Sequence, residues 1–385
     1  MKEKVSRQVA VSDARQCLAM NTTTRTLAAA LLATSSALAG AATTPLILAY
    51  ADAQVKTSYT NLQAFHADIG ALGLGSVYSL TAAGAITTNG MNPTAKKIIS
   101  YAASIHLPLY PTVSDWDDGY QGGGFNPAVS QGILKTPASR DNAVAALVSL
   151  ATTNGFAGID IDLEAVQSAD KSNYPLFLTA LQSSLHAHGM QLIASVPPKT
   201  GDNAPSYLAG YDYAAMGAAV DWFQSMTYDE VGPGWCSTGF NGNVWPGPES
   251  GLDWQDAILR YTISRMPAAK VLSGLPSYGY DFSTGLVVYW ADYGATLAKH
   301  SGAALKRDSK SATPYATWGT VKNEPDGKGW TKKTAQPTLW YDDAQSIQAK
   351  VGEVKTLGLG GTSVWAMGYE DAAFWAAVRT GLGLH

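Results

Sequence analysis

Eight short apolar runs recur along the chain, separated by helix-like stretches. They extend from Pro45 to Tyr50, Val77 to Leu80, Leu107 to Val113, Gly158 to Glu164, Gln191 to Pro197, Trp222 to Tyr228, Lys270 to Pro276 and Gly361 to Trp365. Runs of this length and character read as buried strands. Between them, Ser139 to Asn154 reads as an amphipathic helix, with Ser139 as its N-cap and Val144, Leu147, Val148 and Ala151 on the apolar side. Tyr174 to His188, closed by Gly189, and Ser346 to Leu357, closed by Gly358, read the same way. Eight strands alternating with helices is the arithmetic of an α/β fold, the (β/α)8 TIM barrel.

The stretch 281–340 breaks this rhythm. It is polar, with clusters of Lys, Thr, Ser and Gly, and reads as a small α+β insertion between strands seven and eight. The barrel itself is expected to occupy residues 42–385. A doubly wound open sheet is the competing architecture. It would need a Gly-rich phosphate turn after an early strand, and none is present.

The N-terminus has a different character. Lys2, Lys4, Arg7, Arg15 and Arg25 precede an Ala-rich apolar run from Leu27 to Leu38, followed by small residues through Ala42. A charged region, a short apolar region and a small-residue cleavage site form a secretory signal, expected over residues 1–41. Met20 to Ala42 would already make a complete signal. The expected product is secreted. Of the two cysteines, Cys17 falls in that segment, so Cys236 would be left alone, without a disulfide or a thiolate metal site.

Charge and composition narrow the partners. The net charge is -4 and no Lys/Arg run could track a phosphate backbone, which argues against nucleic acid. The 11 Trp and 19 Tyr suit a saccharide binder, but a large barrel buries many aromatics in any case.

Gly158 to Glu164 carries the candidate chemistry. Residue types alternate strictly, so Asp160, Asp162 and Glu164 share one face of the strand while Ile159, Ile161 and Leu163 share the other. Acids pointing into a barrel would repel one another. One of them would then hold its proton near neutral pH and could donate it. Glu164, nearest the strand's C-terminal end, is where barrel enzymes place catalysis. Three plainer readings compete: a solvated edge-strand face, a hard-metal site and a structural ion-pair cluster. The six His show no HExxH-type spacing.

The pattern resembles the glycoside hydrolases of family 18, the chitinase-like barrel enzymes. Their fourth-strand motif DGxDxDxE stands here as Ala157 to Glu164, with Ala157 in place of the first Asp and Leu163 in place of a common aromatic. The sixth-strand MxYD is Met226-Thr227-Tyr228-Asp229. Gly274 to Gly279 matches the seventh strand, and Gly360-Gly361 through Trp365 the eighth. Tyr341-Asp342-Asp343, Ser346 and Lys350 are also typical of the family. The Ser-x-Gly-Gly of strand three is absent, and Ser114-Asp115-Trp116 occupies that region. Pro198-Lys199-Thr200, Tyr211-Asp212-Tyr213 and Gly122 to Phe125 are similar to bacterial enzymes that cut spore-cortex peptidoglycan.

The resemblance implies a glycosidase that retains anomeric configuration with help from its own substrate. Glu164 would protonate the glycosidic oxygen, Asp162 would steer the 2-acetamido group, Asp160 would set the protonation of Asp162, and Tyr228 would hold the acetamido oxygen. Trp365 would floor the sugar site. Asp229 would bond sugar polar groups or cap a turn before Gly232. Tyr50 and Trp116 are further contact candidates, and Met226 reads as packing beside the sugar. The implied partner is an N-acetylglucosamine polymer, chitin or peptidoglycan, with no metal or other cofactor. The expected protein is a monomer, free of membrane once the signal is cleaved.

Overall fold

Eight parallel strands close on themselves in a computed structural model that describes residues 44–233, 245–319 and 338–384, with the backbone of 324–325 and 331–332. They are β1 (Leu46–Asp52), β2 (Ala71–Leu80), β3 (Leu109–Ser114), β4 (Gly158–Asp162), β5 (Gln191–Val196), β6 (Trp222–Ser225), β7 (Val271–Pro276) and β8 (Gly361–Met367). Each pairs with the next, and β8 pairs back onto β1, with Tyr50 opposite Trp365. The fold is the expected (β/α)8 barrel. The signal segment 1–41, Cys17 and Cys236 lie outside the described residues.

Side-chain alternation sorts the barrel into two cores. Ile47, Ala49, Ile159, Ile161 and Val364 face outward and pack with helix residues such as Leu147 and Phe177. Leu48, Tyr50, Ala71, Tyr110, Ile193 and Leu272 fill the interior. Above this apolar plug, toward the C-terminal end, the interior turns polar, with Thr112, Asp160, Ser195, Gln224 and Ser363 all buried.

Several boundaries differ from the sequence reading. Strand β2 begins at Ala71 rather than Val77. Gly73 and Gly75, which precede the expected run, both face the barrel interior. A Cβ on Gly73 would lie 2.2 Å from the Tyr50 ring, so only glycine admits that ring. Strands β4 and β6 stop at Asp162 and Ser225, short of Glu164 and Tyr228. The helix before β4 starts at Pro137, with Thr136 as N-cap. Ser139 is three residues further in and closes a capping box with Thr136. The helix expected from Ser346 starts at Ala344, with Asp343 as N-cap, runs to Leu357 and closes at Gly358 with φ 66. Asn173–His186 is the next helix after β4, and it ends before Gly189.

Between β7 and β8 lies a five-stranded antiparallel sheet, from Tyr278–Asp281 to Thr338–Trp340. Its first strand starts two residues after β7 ends, ahead of the expected limit at 281. The return into β8 is pinned by a buried ion pair. Lys350 Nζ lies 2.8 and 2.7 Å from the two Asp342 oxygens, with side chains 0% and 2% exposed.

Candidate active site

Asp160 sits at the base of the site and is fully buried. Thr112 on β3 donates its hydroxyl to Oδ2 at 3.0 Å, and Ser195 on β5 donates to Oδ1 at 3.0 Å. Tyr50 bonds Ser195 from β1 at 3.1 Å. Burial pushes the Asp160 carboxyl up to about 6, and the hydroxyl donors hold it down from going further.

Asp162 is the last residue of β4, and its Oδ1 is buried with no hydrogen-bond partner among the described residues. Its carboxyl is raised well above the usual range, first by burial, then by the charges of Glu164, Asp160 and Asp115. Glu164 lies two residues past it, partly exposed at the barrel mouth. Burial and the facing Asp115 and Asp229 push its carboxyl up to about 8. No ion pair among the described residues involves Asp160, Asp162 or Glu164. The acids therefore form neither a solvated edge nor a neutralised cluster. Asp160 is fully buried and Asp162 and Glu164 are partly buried above it, and crowding acids in this way is how a carboxylic acid keeps its proton at neutral pH.

Tyr228 follows β6, where Gly274 makes room for it. A Cβ there would lie 2.9 Å from Tyr228 Cε1. Gln224 Nε2 reaches the Tyr228 hydroxyl at 3.5 Å and Ser363 Oγ at 2.9 Å. Burial, then the Asp162 charge, keeps the phenol protonated far into alkaline pH. Trp365 ends the inward face of β8, partly exposed and 6.0 Å from the Tyr50 ring between centroids. Met226, two residues before Tyr228, is buried as a packing residue.

The remaining candidates keep their expected places in the chain, Tyr50 on β1 and Trp116 after β3, with the following surroundings. Tyr50 is 2% exposed, so it supports Asp160 through Ser195 from below the site. Asp229 does not cap a turn. Its backbone is left-handed at φ 63, its amide donates to Glu249 Oε1 at 2.8 Å, and its Oδ1 accepts from Tyr278 at 2.7 Å and Tyr280 at 2.6 Å. Trp116 lies on the loop after β3, edge-on to Phe125, with its indole N–H donated to Asp118 at 3.1 Å.

Residues 33–370 match the profile of glycosyl hydrolases family 18. The chain belongs to that family. A class V chitinase of Pseudomonas fluorescens Pf-5 superposes with TM-score 0.83 at 55% identity, over 88% of this chain and 99% of that one. A chitinase of Chromobacterium violaceum ATCC 12472 gives TM-score 0.77 at 35% identity, over 89% of this chain and 100% of that one. A cortical fragment-lytic enzyme of Bacillus subtilis (strain 168) is 26% identical over 60% of this chain, and the match spans 50% of that protein. This family 18 chain is a glycosidase of the chitinase-like kind.

Sequence reading missed several groups around the family 18 acids. Thr112, Ser195 and Gln224 are ordinary polar residues whose role emerges only when neighbouring strands align them. Asp115 was visible only as a departure from the strand-three pattern. In the fold it is fully buried and accepts the Glu164 and Ala165 amides at 3.1 and 3.0 Å. Lys199 and Tyr211, read as subgroup markers, join here too, with Lys199 Nζ donating to the Tyr211 carbonyl at 2.8 Å.

Proposed function

We propose that this chain is a retaining hydrolase of β-1,4-linked N-acetylglucosamine polymers, chitin first, and that it works by substrate assistance. The observation that carries the reading is one pair of carboxyls. Glu164 is held protonated up to about 8, and Asp162 beside it keeps a buried oxygen without a partner. An acid that stays neutral at pH 7 can give its proton to a glycosidic oxygen. A buried acceptor with no donor fits the N–H of a 2-acetamido group.

In the first step Glu164 transfers its proton to the glycosidic oxygen and the C1–O bond breaks. The acetamido carbonyl oxygen forms the new bond to C1, giving an oxazolinium ion. Asp162 accepts the acetamido N–H and stabilises the positive charge, while Asp160, buried beneath it, sets its ionisation. Tyr228 donates its hydroxyl to the acetamido oxygen and holds it in line. The released chain carries the transferred proton as a hydroxyl. Water then attacks C1, Glu164 takes its proton, the C1 bond to the acetamido oxygen breaks to restore the acetamido group, and the configuration at C1 is retained. Trp365 at the mouth of β8 offers the sugar an aromatic face. Positioning and charge stabilisation supply the acceleration.

The 55% identity with a class V chitinase favours chitin, and the similarity to a cortical fragment-lytic enzyme makes peptidoglycan the competing substrate. Product analysis with N-acetylglucosamine oligomers of defined length, run beside purified peptidoglycan, decides between them. Cleavage of oligomers to retained-configuration products is expected. Activity on peptidoglycan alone would overturn the chitin reading. The signal-like segment 1–41 supports action outside the cytoplasm, which sequencing of the N-terminus of exported protein would test.

A further inference from the structure

Leu163 to Val166 lie beyond the reach of the sheet. The β3–β4 ladder ends at Ser114 opposite Asp162, and the β4–β5 ladder at Ile161 opposite Ala194. Buried amides past that point need other acceptors. Side chains supply them from both sides. Asp115 Oδ1 takes the Glu164 amide and Oδ2 the Ala165 amide, while Ser130 donates its hydroxyl to Oδ2. On the other side the Tyr211 hydroxyl donates to the Leu163 carbonyl at 2.9 Å and accepts the Val166 amide at 3.3 Å. Lys199 fixes Tyr211 through its carbonyl, and its ammonium lies 5.3 Å from the Tyr213 ring centroid.

We propose that Asp115 is a positioning residue for Glu164: it fixes the backbone that carries the proton donor and presents its own charge to that donor, with Tyr211 as the uncharged half of the same clamp. The inference rests on Glu164 being the proton donor, as proposed above. The choice of group is what points to function. An uncharged acceptor would satisfy both amides, yet the site uses a carboxylate, and no ion pair among the described residues neutralises it. Such a charge strengthens a neighbour's hold on its proton.

The groups facing Glu164 are Asp162 at the end of β4, Asp115 after β3, Tyr211 after β5, and Tyr228 and Asp229 after β6. Tyr174, on the helix Asn173–His186, faces Asp115. All these groups are acids or phenols. Removing the Asp115 charge therefore weakens the Glu164 proton, and the alkaline limb of the rate profile moves to lower pH.

The test is kcat and KM against pH for Asp115→Asn and Tyr211→Phe on an N-acetylglucosamine oligomer. Asp115→Asn is expected to move the alkaline limb down by about half a pH unit or more and to lower kcat roughly tenfold to a hundredfold with little change in KM. Tyr211→Phe is expected to lower kcat roughly tenfold while leaving the limb in place, because the charge remains. An Asp115→Asn limb at the wild-type position overturns the proposal, as does Tyr211→Phe with wild-type kcat. If Asp115→Asn does not fold, Asp115→Ser reads the same limb. Activity surviving in Glu164→Gln would instead sink the functional reading beneath it.

Discussion

Replacing Glu164 with Gln keeps the length of the side chain and replaces its carboxyl by an amide that cannot deliver a proton. At pH 7 the native carboxyl, raised from 4.5 to about 8, is mostly neutral, so a neutral amide matches its resting charge. Substrate should therefore bind with near-native affinity. Turnover should fall by roughly a factor of 100 to 10,000, the range that general acid catalysis supplies. Stability should move the other way. A carboxyl whose folded pKa lies above its unfolded value binds more protons in the folded state, so stability is full below pH 4.5 and is lost as pH climbs towards about 8. Each pH unit in that window costs about 1.4 kcal/mol, which bounds the loss at roughly 3 kcal/mol by pH 7. Glu164 is partly exposed, and solvent screening brings the expected figure nearer to 1–2 kcal/mol, on the order of a surface-adjacent site. Gln cannot ionise and escapes this loss. Urea denaturation of wild type and Glu164→Gln from pH 5 to 8, with calorimetric binding of an oligomer, checks both halves. The variant should gain on wild type steadily as pH rises. Parallel stability curves, or a kcat near wild type, would refute the reasoning.

Two other substitutions probe separate parts of the argument. Tyr228→Phe deletes a phenol that burial and the Asp162 charge keep protonated, and kcat should fall about tenfold to a hundredfold at an unchanged alkaline limb; steady-state kinetics showing half the native rate would remove Tyr228 from the mechanism. Lys350→Met leaves Asp342 buried without its cation and should cost about 3–5 kcal/mol in urea denaturation, with much of that recovered by adding Asp342→Leu. A loss under about 1 kcal/mol would show that the pair does not hold the return into β8.

Much of this barrel was legible because its signals are local. Apolar runs, glycine closures such as Gly358 and the strict alternation in Gly158 to Glu164 need no knowledge of distant chain. What escaped reading depends on contact across the fold. The start of β2 at Gly73 and Gly75 makes sense only once Tyr50 and Trp365 are seen to occupy the space a side chain would take. Thr136 outranks Ser139 as a cap because Pro137 fits the first helical position and starts the helix early. Asp229 reads as a sugar contact or a turn cap, and its bonds from Tyr278 and Tyr280, on the strand after β7, appear only in the fold. Pro137 acts on its own neighbours, whereas the partners of Gly73, Gly75 and Asp229 are distant in sequence.

The same distinction separates the acids themselves. Asp160 is held by the sheet, since hydroxyls on the two strands flanking β4 meet its carboxylate in the barrel interior. A change there should disturb packing as well as charge. Glu164 stands past the end of β4, where no ladder bond reaches it, and only side chains define its backbone. Its surroundings raise the energy of its ionised form and gain nothing in packing from doing so. Removing that charge should relieve the fold while removing the reaction, the opposition expected of a group kept for chemistry rather than for stability. The strand-end position that makes Glu164 invisible to sheet geometry is also what leaves it open to a polymer at the barrel mouth.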